Sequence, residues 1–234
     1  MIILAMDALD INLVEKFNCE SLKQDEYGQT DLSEFDQLRT VVLWASFLMG
    51  KNMEKEIPVE GQWKFTASFD ETFLKFFETY EMIDVPSFSF KQEDHAEIRK
   101  LLKSYFENQA PVEEYDTVVW RNHEESKKDF FDALGKFDLV MGYFDLADAV
   151  GHLSFGVDKK MHRVYHELDE LVKETKKSND VILIISDHGM KAVGRYGDHR
   201  RNGFYSLNQR IGLDKPRITS FYFNIERIAK NECS

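Results

Sequence analysis

The chain is short of cysteine, proline and positive charge, and each shortage excludes something. It has two cysteines in 234 residues, Cys19 and Cys233. They make neither a zinc-binding pattern nor a disulfide framework. Four prolines exclude a proline-rich linker and favour a compact chain over a disordered one. Lys and Arg number 30 against 42 Asp and Glu, a formal net charge of −12. That is the wrong sign for a general nucleic-acid binder, so no nucleic-acid polymer is expected as a partner. No stretch approaches the ~20 apolar residues of a transmembrane helix, and the apolar run over residues 1–6 is too short for a signal peptide. The expectation is a cytoplasmic protein without membrane contact. What the chain has in quantity is apolar: 43% hydrophobic residues, with 19 Phe. That is enough for the core of one domain spanning residues 1–234.

The densest signal is Val181-Ile182-Leu183-Ile184-Ile185-Ser186-Asp187-His188-Gly189-Met190. The unbroken apolar run reads as a strand buried on both faces, as in a parallel sheet. Asp187 and His188 then fall just past its carboxyl end, where open α/β sheets bind ligands. They are two metal-ligand types on one tight turn. Two further buried-strand patterns end in acids. Ile2-Ile3-Leu4-Ala5-Met6 runs into Asp7, which also reads as a cap for a helix near residues 12–16. Leu139–Phe144 runs into Asp145, and Asp148 and His152 follow four residues apart. On one helical turn that pair shares a face; it reads as a grip on one metal or as an ordinary solvated pair.

Thr40 opens an apolar stretch that Gly50 closes. Thr40 reads as the N-cap of a helix, at the positive end of the dipole where an anion binds. A glycine-punctuated loop over 194–203 contains His199, followed by Arg200 and Arg201, which either face a phosphate or are solvated. His162 and His166 have a zinc-like spacing, but Arg163 stands where a metalloprotease needs Glu, so they read as surface histidines. Periodicity predicts helices over 70–80, 93–108, 124–134, 159–177 and 219–230, and strands over 82–90 and 117–120. Residues 23–34 and 51–61 read as loops. Residues 52–112 show no obvious chemistry and read as a short insertion or lid.

Taken together, Asp7, the Thr40-to-Gly50 block, Asp148-x-x-Gly151-His152, Ser186-Asp187-His188-Gly189-Met190 and Gly197-Asp198-His199 resemble the alkaline phosphatase superfamily. The resemblance is strongest to its type I phosphodiesterase / nucleotide pyrophosphatase branch. It implies a three-layer α/β/α sandwich with a mostly parallel sheet. It implies that Thr40, ten residues before Gly50, is a nucleophile that forms a covalent phospho-threonine intermediate on a small phosphate ester. It also implies two divalent metal ions. One would be held by Asp148, His152 and His199, the other by Asp7, Asp187 and His188 with Thr40 alongside. Zinc suits the mixed His and Asp ligands, and the two-carboxylate site also accepts manganese. The chain departs from nucleotide pyrophosphatases at Val41-Val42-Leu43-Trp44, where they carry Phe-Pro-Asn-His, and at Met49-Gly50, where they carry Thr-Gly. Their phosphate-binding Asn has no match near Gly61. Two alternatives follow: a phosphomonoesterase of the same superfamily, which would use Arg200 or Arg201 as an extra cation, and a non-catalytic relative that binds a phosphorylated ligand.

Overall fold

All five residues of the first strand, β1 (Ile2–Met6), are buried. Their side chains alternate between two cores: Ile2, Leu4 and Met6 enter one, Ile3 and Ala5 the other. A strand buried on both sides needs a layer on each face, and the remaining elements supply both layers. In this computed structural model, which describes residues 1–230, they follow in chain order. They are α1 (Ile11–Lys16), β2 (Glu26–Thr30), α2 (Thr40–Met49), β3 (Tyr80–Ile83), α3 (Gln92–Phe106), α4 (Val112–Ala133), β4 (Leu139–Phe144), α5 (Leu146–Ser154), α6 (Asp158–Thr175), β5 (Ile182–Ile185), β6 (Gly189–Val193), β7 (Tyr196–Arg200), β8 (Gly203–Leu207) and α7 (Phe221–Ala229). Cys233 lies outside the described residues.

The central sheet has the order β2-β8-β5-β1-β4-β3. Strands β5, β1, β4 and β3 are parallel; β8 pairs antiparallel with β5 at one side, and β2 pairs antiparallel with β8. Helices α1, α4, α5 and α6 cover one face, and α2 and α7 cover the other. This is the expected three-layer sandwich. Among the described residues no helix is long and apolar enough to cross a membrane.

Several local expectations are corrected. Residues 117–120 are not a strand but part of α4, where Tyr115, Val118, Val119, His123 and Ser126 are buried at helical spacing. The β-branched residues there had only local propensity, which packing overrides. The helix expected over 70–80 is two 3₁₀ turns, Phe69–Glu71 and Phe73–Phe76. Thr72 interrupts it, with its hydroxyl donating to the Phe69 carbonyl and accepting from the Leu74 N–H. The loop expected over 23–34 contains β2, an edge strand defined by its pairing with β8. The loop expected over 194–203 is largely a hairpin, β6 paired with β7. The strand expected over 82–90 ends early at Ile83, because Asp84 turns into the left-handed region at φ 57°.

Candidate active site

Strands β1, β4 and β5 run in register, with Met6 opposite Phe144 and Ala5 opposite Ile185. Their carboxyl ends therefore stop at one level. The residues that follow them, Asp7, Asp145 to Asp148, and Asp187 with His188, are delivered to one edge of the sheet. Asp7 does not cap α1; Asp10 does, accepting from the Asn12 N–H at 2.8 Å. The Asp7 carboxylate is instead fully buried and accepts a hydrogen bond from the Tyr143 hydroxyl. The next residue, Ala8, holds φ 56°, a conformation uncommon outside glycine. Its N–H reaches Asp187 Oδ1 at 3.4 Å. Ser186 fixes the turn by accepting from the Leu9 N–H at 2.9 Å and donating to the His188 carbonyl at 2.7 Å.

The hairpin of β6 and β7 brings in His199, which pairs across from Met190. A sulfur holds that hairpin against α5. A Cβ added at Gly151 would come within 2.5 Å of Met190 Sδ, and one at Gly197 within 2.2 Å. Met190 is thus packed between the two motif glycines, and this contact sets His199 beside Asp148 and His152. His152 Nε2 lies 3.2 Å from Asp148 Oδ2, and His199 Nε2 lies 3.4 Å from Asp148 Oδ1. His188 Nε2 lies 3.3 Å from Asp7 and 3.5 Å from Asp187, and its ring stacks on that of His199 at 3.8 Å.

The fit of this cluster to cations can be judged from atoms left without partners. Asp7 Oδ1, Asp148 Oδ1, Asp187 Oδ2, His188 Nε2 and His199 Nε2 are all buried and lack hydrogen bonds. His188 Nδ1 faces the Gly189 carbonyl at 3.1 Å, and His199 Nδ1 faces the Leu38 carbonyl at 3.3 Å. A carbonyl only accepts, so each Nδ1 carries a proton, and in the neutral ring Nε2 then presents a lone pair to carboxylates. Lone pairs facing lone pairs in a buried site call for a cation. The ligand atoms group accordingly: Asp7, Asp187 and His188 within 4.8 Å of one another, and Asp148, His188 and His199 likewise. His188 is common to both groups; His152 is in neither, and reaches the cluster only through its contact with Asp148.

The same groups also shift one another's proton affinities. Burial, then the charge of Asp148, pushes the Asp7 carboxyl up to about 7. Burial and the Asp7 charge hold Asp187 well above the usual carboxylate range. Burial, then repulsion from His199, pushes His188 down to about 3. Asp148 is buried too, but His152 and His199 outweigh that and hold it well below its ordinary value. Attraction to Asp148, against the burial cost, raises His152 to about 9.

Thr40 lines the same cleft of about 240 Å³ as Asp7, Asp148, His152 and His199. It is the first residue of α2 rather than its cap; Arg39 is the cap, and Gly50 closes the helix at φ 68° as expected. Arg200 and Arg201 do not line this cleft. Arg201 donates to the carbonyls of Phe35 and Asp36, and ties β7 to the loop before α2. His162 and His166 are exposed, as expected. The sequence marks Asp145 only as the acid that ends a strand pattern and does not single out Tyr143, His95, Arg99 or Trp63, all of which also line the cleft. No spacing signals them, because they converge from α3, β4 and a 3₁₀ turn.

A sequence profile described as type I phosphodiesterase / nucleotide pyrophosphatase matches residues 35–215, more than half of the 234 residues. No curated protein matches the sequence. Among solved structures, the chain is similar to the alkaline phosphatase of the Antarctic bacterium TAB5, with a TM-score of 0.58 at 10% identity over 98% of this chain and 97% of that one. Two variants of that enzyme with magnesium bound in its M3 site give TM-scores of 0.55 and 0.57 at 11% identity, with the same coverage. At such identities the structural likeness establishes the fold. The profile match goes further: the chain belongs to the type I phosphodiesterase / nucleotide pyrophosphatase family of phosphate-ester hydrolases.

Proposed function

We propose that the chain is a two-metal phosphodiesterase of the nucleotide pyrophosphatase kind, acting on a small phosphate ester with Thr40 as nucleophile. One observation carries this reading: five orphaned ligand atoms, buried together, in a cluster whose cleft Thr40 shares. Asp148, His152 and His199 would hold one ion; Asp7, Asp187 and His188, with Thr40, would hold the other. Zinc suits these ligands, and manganese also fits. Bound there, a divalent pair would supply Lewis acidity and lower the cost of a threonine alkoxide.

In this reading the protein's own residues orient, attack and stabilise. The Leu38 and Gly189 carbonyls fix the rings of His199 and His188. Thr40 Oγ1 forms a bond to phosphorus as the P–O bond to the alcohol breaks in line. Water then cleaves the phospho-Thr40 ester and restores the hydroxyl. The first N–H groups of α2 are unpaired within the helix and add stabilisation to the anion. The monoesterase alternative gains nothing from Arg201, whose guanidinium is spent on backbone carbonyls.

Thr40→Ala tests the assignment. The expected loss is about a thousandfold in kcat, with metal content still near two ions per chain by elemental analysis. Near wild-type turnover in Thr40→Ala would remove Thr40 as nucleophile. A wild-type chain that binds no divalent metal would sink the two-metal reading and favour the binding relative. Paired assays on a chromogenic monoester and its matching diester, after loading zinc or manganese, separate the two enzymatic readings.

A further inference from the structure

The cleft has a second wall, built by residues 52–112, that the chemistry above does not use. Its planar groups form a series. The Arg99 guanidinium lies 4.5 Å from the Trp63 ring centroid. Trp63 stacks on Phe90 at 5.5 Å, and Phe90 stacks on His95 at 4.0 Å, both with planes 15° apart. His95 is fixed in turn between Asp84 at 2.8 Å and Asp145 at 3.4 Å. Trp63 and Phe90 thus meet the protein's own planar and charged groups. At about 240 Å³ the cleft is below the roughly 300–1,000 Å³ of sites that enclose larger ligands. A compact substrate fits it.

Arg99 stands apart from the other members of that wall. It is half-buried, and burial pulls its pKa below the ordinary arginine value, with only Tyr143 opposing. Among the described residues no carboxylate pairs with it and no acceptor takes its hydrogen bonds. Carboxylates are not scarce: the chain has 42 Asp and Glu against 30 Lys and Arg. A guanidinium stays charged even so, with five donors in a fixed fork. The indole orients that fork but cannot accept its bonds. An oxyanion can, bidentately.

We infer that Arg99, oriented by Trp63, is a specificity-determining residue that selects phosphate esters carrying a second negative charge, beyond the single charge of a simple diester. The inference rests on the hydrolase reading of the metal-site end of the same cleft. Two sources share this chemistry: the dianionic phosphoryl group of a monoester, or an acidic group on the alcohol of a diester.

Three p-nitrophenyl esters distinguish them: the phosphate monoester, the diester with a 3-carboxyphenyl group, and the methyl ester of that diester. Arg99→Ala is expected to lower kcat/KM for one dianionic ester about 10- to 100-fold more than for the methyl ester, with Arg99→Lys recovering part of the loss. The ester that suffers locates the second charge. An equal fall on all three, or no fall, overturns the inference. If the wild type turns over none of them after metal loading, the hydrolase reading fails separately. Calorimetric titration with inorganic phosphate and with 3-carboxybenzylphosphonate then decides Arg99. Tenfold weaker binding of either probe by Arg99→Ala upholds the inference, and equal binding of both overturns it.

Discussion

Glu167 illustrates how a single residue in this chain is decided by its neighbours. It lies beside the buried ring of His123 at 3.3 Å and takes the Lys127 ammonium at 2.6 Å. With Glu124, this group has donors close enough to suggest a metal, but Lys127 already supplies the positive charge. The His123 hydrogen bond, then Lys127 against the cost of burial, holds the Glu167 carboxyl down to about 2 from 4.5. A carboxyl lowered on folding stabilises fully above its unfolded value and loses that contribution as pH falls towards its folded one. Glu167→Gln is therefore expected to lose about 1–2 kcal/mol near neutral pH. In urea titrations the gap from wild type should narrow between pH 4.5 and pH 2. A gap that stays constant through that window would mean the ion pair is not the cause. At the candidate site, Asp7, Asp148, Asp187 and the three histidines were legible by residue type. Which of their atoms lack partners was not legible, because that depends on carbonyls as distant in sequence as Leu38.

Among the elements, the β6–β7 hairpin is the one that the sequence misstated most usefully. Gly194, Gly197 and Gly203 read as loop punctuation, yet Gly197 sits within a strand because nothing larger fits there. An added Cβ would meet Met190 Sδ at 2.2 Å and the Gly151 carbonyl oxygen at 2.7 Å. The sulfur could shift, but the helical backbone of α5 cannot do so cheaply. Gly197→Ala is expected to cost about 1–3 kcal/mol, as overpacked cores do. It should also draw His199 away from Asp148, so metal content should fall together with Tm. If both stay at wild-type values, the Met190 contact does not position His199. The strand ends, by contrast, were legible: runs such as residues 182–185 have no polar position to face solvent, so they had to be buried on both sides. Segments with mixed patterns failed for the opposite reason. Residues 117–120 carry β-branched side chains, but the helix that contains them is fixed by its burial against β4 and α5.

At the scale of the whole molecule, the parallel sheet gathers the acids at one edge, and the segment over 52–112 gives the sheet β3 and lines the cleft at that edge with Trp63, Phe90 and α3. Its helix α3 was legible as an amphipathic helix from Ile98, Leu101, Leu102 and Phe106, of which the first three pack into the core and Phe106 is exposed. Periodicity says which face is buried and not against what, so the docking of α3 beside the candidate site could not be read. The fastening is His95, bridging Asp84 in the same segment to Asp145 at the end of β4. Burial opposes its charge, but Asp145 and Asp84 outweigh that and raise it to about 10 from 6.5. A histidine raised on folding contributes fully below its unfolded value, and the contribution is lost as pH climbs through the folded one. Hydrogen exchange, corrected for the intrinsic rate at each pH, is the measurement that isolates this clip. Protection across α3 should fall between pH 6.5 and pH 10 while β1 and β5 keep theirs, since opening one segment leaves the central strands paired. In His95→Ala, α3 should exchange fast at every pH. If α3 protection is flat with pH and unchanged in that variant, the segment is held by its apolar face alone, and the clip contributes nothing to closing the site.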